Sequence, residues 1–370
     1  MSTMTACVVV YYSPTNEPMY EHEKVTLSAV AQRIAALKGC KFGGIHHGGR
    51  DYPAGTFFVP DETLVASEAD YLGIHGPADL FGGVVPHTFV RTKAITHPLV
   101  DDAADRPVGW SFSFARRIGD SVLPGYTAFS CRDARIAASR LLPFGTVQLK
   151  RAFSAGGGGQ DLARNASDID VFLEQMSKKE LSEYGLVLES HLDQVVTFSV
   201  GQVTIDNMLI AYHGRQRVVT NNAGRQVYGG SDIVCLRGSW DALSSLRTSS
   251  AVRVAISQAQ RYDAAMSEYP GFVASRRNYD IAQGIDSGGH ARSGVLESSW
   301  RSGGASTAEL EAMSLLSDPG CHLVRVRTAK IFGKGHRPPE GAIVHFQGDD
   351  PRDGPIIRYT SIVECRRRDQ

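Results

Sequence analysis

The residues best equipped for chemistry come in a definite order along the 370-residue chain. Lys150 follows a short β-type run, Val147 to Leu149, and stands just before four consecutive glycines, Gly156, Gly157, Gly158 and Gly159. Glycine lacks Cβ and reaches positive φ, so such a loop lets several backbone N–H groups converge on an anion, and a lysine beside it suits phosphate. Taken alone, the glycines read more simply as a flexible surface loop than as a phosphate site, and it is the lysine and the residues downstream that shift the reading. Downstream, Glu189 ends the apolar run G-L-V-L-E, Asp280 lies in one strand-like stretch, and Glu297 closes the next, across a turn at Gly288-Gly289. If those two strands pair, the carboxylates meet. Two carboxylates together with phosphate oxygens are a usual way to hold Mg²⁺, which keeps its waters and takes few protein ligands. Singly, each is an ordinary surface acid. Arg276, Arg277, Arg292 and Arg301 nearby are either ion-pair partners or cations for a phosphoryl group.

Other chemistries lack their residues. A Walker P-loop fails because no G-K-[ST] follows the glycines and the lysine precedes them. A dinucleotide fingerprint lacks its third glycine and its later ribose acid. G-x-S-x-G is absent, which removes the usual serine-hydrolase elbow. His46, His47, His290 and His336 show no metal-ligand spacing, and the six scattered cysteines contain no C-x-x-C, so reduced thiols are expected. Lys plus Arg and Asp plus Glu are both 39, so net charge draws the chain toward neither nucleic acid nor anionic lipid. No run approaches the ~20 apolar residues of a membrane span, and no signal-peptide pattern opens the chain, so a cytoplasmic protein is expected.

The elements that must position these residues alternate between helix and strand. Cys7 to Tyr12 is a continuous apolar run of the kind covered on both faces in a parallel sheet. Leu27, Val30, Ile34 and Leu37 follow at helical spacing, ended by Gly39. Thr56 to Val59 and Leu72 to His75 read as strands, and Asp101 to Pro107 as a linker or exposed loop. A helix is expected over Val108 to Gly119, a strand at Tyr126 to Phe129, a helix over Arg132 to Leu142, and a helix capped by Ser167. Val195 to Val203 and Met208 to Tyr212 suggest antiparallel strands with a turn at His213-Gly214. A long helical region spans Trp240 to Tyr269, and Ser306 with Glu309 forms an S-x-x-E capping box.

The order of lysine strand, glycine loop, strand-end glutamate and later Asp and Glu resembles the ATP-grasp superfamily over about residues 108 to 305. The phrases L-P-G-Y-T-A-F-S, L-K-R-A-F-S-A-G-G-G-G-Q and S-G-V-L-E-S-S-W-R-S-G-G-A-S are similar, over nearly the whole chain, to an uncharacterised proteobacterial family of ATP-grasp-like proteins. The resemblance implies an α/β plus α+β fold: an amino-terminal α/β domain at 1–107, a first ATP-grasp lobe at 108–184, and a second lobe with a C-terminal extension at 185–370. It implies ATP and Mg²⁺ as cofactors. Lys150 would contact the α- and β-phosphates, Gly156 to Gly159 would cover the triphosphate, and Glu189 and Leu192 would lie at the adenine hinge. Asp280 and Glu297 would be the metal ligands, with Arg277 and Arg301 as the cations near the transferred phosphoryl group.

Two positions depart from the superfamily pattern. Ser298 and Ser299 follow Glu297 where E-x-N is common, and Val196 stands where a ribose-binding acid is expected, with Asp193 as its substitute. The other upstream phosphate contact is sought at Arg116 or Arg117. The implied activity is an ATP-dependent ligase joining a small carboxylate to an amine or thiol through an acyl phosphate, with a homodimer as an option. A small-molecule kinase and a nucleotide-binding sensor or scaffold without turnover are the alternatives.

Overall fold

Period-two alternation fills the second half of the chain, and in the computed structural model it becomes one large antiparallel sheet. The structure describes residues 6–14, 19–153 and 159–367. The chain opens with β1 (Cys7–Tyr11), α1 (Glu21–Lys38), β2 (Lys41–Ile45) and β3 (Phe57–Pro60), a parallel three-stranded sheet in the order β2-β1-β3. Val8, Val9 and Val10 are fully buried, as expected of a strand covered on both faces. Helix α1 stops where Gly39 takes a left-handed conformation (φ 65°) that residues with a Cβ resist. Short strands β4 (Leu64–Val65) and β5 (Gly83–Val85), with helix α2 (Ala66–Leu72) between them, lead to a turn at Lys93–Thr96 and to α3 (Phe112–Ile118).

A small antiparallel sheet follows, ordered β6-β9-β7-β8: β6 (Gly125–Ala128), β7 (Val147–Arg151), β8 (Gln160–Ala163) and β9 (Leu186–Ser190). Helices α4 (Cys131–Leu141), α5 (Ala166–Glu174) and α6 (Lys178–Tyr184) belong to this lobe. The large sheet then takes β10 (Asp193–Ile205), β11 (Met208–Thr220), β12 (Gln226–Arg237), β14 (Arg276–Ile285), β15 (Ala291–Ser299), β16 (Cys321–Phe332), β17 (Ile343–Asp350) and β18 (Gly354–Arg367). Its order is β15-β14-β10-β11-β12-β16-β18-β17. Between these strands come α7 (Trp240–Ser244), α8 (Ser250–Ala265), the short β13 (Val273–Ala274), which pairs with β5, and α9 (Ser306–Leu316).

The two faces of the large sheet are covered differently. Val203, Ile210, Tyr212, Ile233 and Val324 pack against α9 and the amino-terminal sheet. Phe198, Val200, Ala211, Tyr279 and Ile281 pack on the other face against α3 and α8. No helix among the described residues is long and apolar enough to cross a membrane.

Several local expectations are corrected. Residues 72–75 form no strand, because α2 runs to Leu72 and Gly73 ends it in a left-handed conformation. Strand β11 passes straight through His213-Gly214, and the turn lies at Asp206-Asn207 instead, with Asp206 at φ 50°. Gly214 marks close strand packing, since a Cβ there would fall 2.3 Å from the Asp232 carbonyl oxygen. Asn165, not Ser167, caps α5, accepting from the Asp168 N–H. The helical region after Trp240 breaks into α7 and α8. Asp101 to Pro107 is a mostly exposed loop, one of the two readings expected, and Ala104 within it is buried in the core of the small lobe. That lobe's sheet reaches Ser190, beyond the border expected at 184.

The capping box of α9 does not form, because the Glu309 side chain is engaged elsewhere. Its two carboxylate oxygens accept from Arg276 Nε and Nη2 at 2.9 and 2.7 Å, and one also accepts from the Tyr212 hydroxyl at 2.6 Å. Arg276 and Glu309 are both buried, so removing either charge strands the other in a dry interior. Glu309→Gln is expected to cost about 3–5 kcal/mol in urea unfolding. A loss below about 1 kcal/mol would show the pair to be hydrated in solution.

Candidate active site

In the small sheet, β7 and β9 are direct neighbours, which brings Lys150 and Glu189 together. Lys150 Nζ lies 2.5 Å from Glu189 Oε1, inside the strand rather than at its end. The second carboxylate oxygen, Oε2, is 2.9 Å from His97 Nε2, and all three side chains are buried. Burial by itself would raise the Glu189 carboxyl, but Lys150 and the His97 hydrogen bond outweigh it and hold the group down at about 2. Gly125, paired with Glu189, makes room for this arrangement: a Cβ there would sit 2.8 Å from the His97 ring. Leu192, at the exit from β9, packs with Leu123 and Ala282 in an apolar cluster beside the large sheet. Of the four glycines, Gly159 is described (φ 64°), and Gly156, Gly157 and Gly158 lie outside the described residues.

On the large sheet, Asp280 of β14 stands directly opposite Glu297 of β15. A β-bulge produces this match. Ile281 pairs with Val295, and Leu296 is the extra residue, so Glu297 turns to the face of Asp280 instead of following Val295 into the α8 core. Asp280 Oδ1 accepts from Asn278 Nδ2 at 2.8 Å and from Ser199 Oγ at 3.2 Å, and Gln216 Nε2 in turn donates to Ser199 at 2.9 Å. Burial, and next the charge of Glu297, push the Asp280 carboxyl up to about 6. Burial acts on Glu297 in the same direction, but Lys93 overrides it, helped by Lys150 and Arg301, and keeps this carboxyl below its ordinary range. Lys93 Nζ is 3.1 Å from Glu297 Oε2, and Lys93 is buried. Lys150 therefore acts on both Glu189 and Glu297, which joins the small sheet to the carboxylate pair.

The arginines separate. Asp280 and Arg277 are three residues apart on a strand, so they point to opposite faces. Arg277 Nη1 is 3.2 Å from Asp263 of α8, and its guanidinium lies over the Phe272 ring. The expectation that Arg277 and Asp280 share one phosphoryl group fails on this alternation. Arg276 is on the site face but is consumed by Glu309. Arg301 stays close, 3.4 Å from Glu62 and in electrostatic reach of Glu297. Arg292 forms an exposed pair with Asp286 at 2.7 Å. Arg117 pairs with Glu268 at 2.7 Å on the surface and Arg116 is exposed, so neither is the upstream cation. Lys93 is the buried cation that reaches Glu297 instead. Val196 packs toward the α8 core, and Asp193 is exposed beside His191.

Lys93 and His97 were not legible in the sequence, because a lysine or histidine in a turn carries no sign of burial. Asn278 was legible in principle, lying two residues before Asp280 and hence on its face. The donor set suits a divalent cation. Two carboxylates face each other, Asp280 is held against ionisation by burial and then by Glu297, and a cation between them would relieve the repulsion. No cluster of three or more His, Cys, Asp or Glu side chains with metal-binding geometry is present among the described residues, so further ligands would have to be water or substrate oxygens.

A family described as "Protein of unknown function (DUF3182)" matches residues 10–360. The chain belongs to that family. No curated protein matches. Among solved structures, N5-carboxyaminoimidazole synthase from Aspergillus clavatus, in complex with ADP and 5-aminoimidazole ribonucleotide, is 12% identical. It aligns over 97% of this chain and 94% of its own, with a TM-score of 0.52. Biotin carboxylase from Campylobacter jejuni is 11% identical over 98% of this chain and 88% of its own, TM-score 0.51. Phosphoribosylamine–glycine ligase from Thermotoga maritima is 13% identical over 95% and 91%, TM-score 0.50. At such identities the likeness speaks for the fold, and this DUF3182 chain has the ATP-grasp fold.

Two pH dependences follow. Because the Glu189 pKa is depressed, its contribution to stability is present above about 4.5 and is lost as pH falls toward 2. Wild type should therefore lose roughly 2–4 kcal/mol more than Glu189→Gln between those limits. Equal acid titration of the two proteins by circular dichroism would dissolve the buried triad. The Asp280 pKa is raised, so its proton favours the fold at low pH and the benefit disappears as pH rises through about 6. Asp280→Asn should accordingly stabilise the metal-free protein by roughly 1–3 kcal/mol at pH 8 and do nothing below pH 4. A destabilised Asp280→Asn at pH 8 is the result that contradicts this.

Proposed function

We propose that the chain is an ATP- and Mg²⁺-dependent ligase that activates a small carboxylate as its acyl phosphate and passes it to an amine or other nucleophile. The observation that carries this reading is the convergence of two buried lysines, Lys93 and Lys150, on the region of the facing carboxylates Asp280 and Glu297. Two desolvated ammonium groups beside two carboxylates suit a triphosphate and the cation that accompanies it. The fold shared with nucleotide-bound structures supports the same assignment.

In this reading Lys150 leaves Glu189 for the α- and β-phosphates, while His97 keeps the Glu189 carboxylate satisfied. The hinge segment with Glu189 and Leu192 borders the adenine. Lys93 and Arg301 neutralise charge on the γ-phosphate side. Asp280 and Glu297 would hold Mg²⁺, which would supply charge neutralisation for the phosphate oxygens. The lysines act mainly by position and charge, because phosphoryl transfer needs little covalent help from protein. The amino-terminal lobe to about 107 and the sheet face beyond Asp280 are left for the substrates.

Lys93→Met and Lys150→Ala should each weaken ATP binding in calorimetry about ten- to a hundredfold, the usual loss for a charge-assisted contact. Glu297→Gln should reduce turnover far more than ATP affinity. ADP and phosphate released together with an acceptor pool mark ligation, ADP alone marks a kinase, and neither marks a sensor. Nucleotide affinity unchanged in both lysine variants would refute the site.

A further inference from the structure

The ladder between β16 and β18 breaks step at its far end. Leu323 pairs with Arg366 and Cys321 with Arg367, so His322 is left out of the register and one step along β18 spans two along β16. The irregularity puts Cys321 on the same face as Val324, in the core shared with α9, although the two are three residues apart. Cys365, directly opposite Val324, packs against that same core. Both thiols are free, and their sulfurs lie 2.8 Å apart.

The strand end that carries Cys365 is weakly held. Strand β17 pairs with β18 only as far as Thr360, so residues 361–367 rest on β16 alone, with Ile362 and Val363 exposed. The ion pairs here, Arg367 with Asp318 at 3.1 Å and Arg325 with Glu364 at 3.6 Å, lie on the surface and contribute little. An end paired on one side and partly open to water opens more easily than the sheet it extends. The two thiols differ in access. Cys321 is buried, and burial, then its contact with Cys365, pushes its thiol up to about 11, which makes it a poor first nucleophile. Cys365 is half-buried and meets solvent first.

We propose that Cys321 and Cys365 form a reversible disulfide when the protein meets a small-molecule disulfide such as oxidised glutathione, a staple that fixes the end of the last strand to β16. The Cys365 thiolate attacks one sulfur of the oxidant, which gives a mixed disulfide and releases one glutathione. Cys321 then attacks the Cys365 sulfur and expels the second. The two cysteines lose two electrons and two protons, and both leave on the two glutathione thiols. Forming the mixed disulfide removes the contact that helped raise the Cys321 thiol, which favours the second attack. The bond closes a loop that contains β17 and restricts the unfolded chain, so its effect is on stability. Strands β10, β11 and β12 stand between β16 and the carboxylate-bearing β14, and the staple does not depend on the ligase chemistry.

Incubation of the full chain with oxidised glutathione, followed by blocking of the remaining thiols in denaturant and peptide mapping by mass spectrometry, tests the pair. Wild type should yield a peptide pair linked through Cys321 and Cys365 that dithiothreitol separates. Its urea midpoint should rise on oxidation by at least about 0.5 M. In Cys321→Ala the mixed disulfide with glutathione should persist on Cys365, whereas in Cys365→Ala the buried Cys321 should stay a thiol. Neither variant should gain in midpoint. Should Cys321→Ala fail to fold, Cys365→Ala, at the half-buried position, carries the comparison. Unlinked Cys321 and Cys365 in oxidised wild type, linkage without a gain in midpoint, or the same gain in Cys365→Ala would overturn the proposal.

Discussion

A cation removed from water must find a carboxylate or a ligand anion, and that requirement organises this protein. Lys150 finds Glu189, Lys93 finds Glu297, and Arg276 finds Glu309, each within about hydrogen-bonding distance and each mostly buried. These pairs are not equivalent. Arg276 and Glu309 are bidentate, with Tyr212 on the same carboxylate, and tie β14 to α9 as a fixed strut. The two lysine pairs are held through flexible four-carbon stems rather than a planar fork. The Arg276 strut and the Asp280–Glu297 pair share one face of the large sheet.

That face exists because of strand alternation and one irregularity in it. Along β14, Arg276, Asn278 and Asp280 point toward α9 and the amino-terminal lobe, while Arg277 and Tyr279 point toward α8. Without the bulge at Leu296, Glu297 would follow Val295 into the α8 side and the carboxylate pair would not exist. A single extra residue re-aims one side chain and raises the pKa of another across the ladder. Burial and the charge of Glu297 together hold the Asp280 carboxyl above its ordinary range.

The reach of the sequence was set by the range of the forces involved. Short-range patterns were enough for α1 and its Gly39 stop, for the apolar β1, for the lysine strand and for the hairpin that carries Asp280 and Glu297, because periodicity and turn chemistry act within a few residues. The order of lysine, glycines, glutamate and two later acids also pointed to the ATP-grasp fold that the tertiary structure has. The His213-Gly214 turn failed because two glycine uses look alike in sequence: Gly214 is there for close strand packing, not for a reversal.

Tertiary structure alone decided which charges meet. Nothing local to Lys93 or His97 says that the first will reach Glu297 across more than two hundred residues or that the second will close the Glu189 triad. Glu309 was spelled as a helix cap, and the competition was won by a guanidinium from another strand, since a buried bidentate pair outweighs a cap. Arg277 was assigned to the site by nearness in sequence, whereas strand alternation sends it to Asp263. The sequence by itself determined the elements and the residue types available for chemistry. Only the packed sheets, through register and one bulge, determined which of those residues share a face, because burial and long-range pairing are properties of the folded chain and not of any window along it.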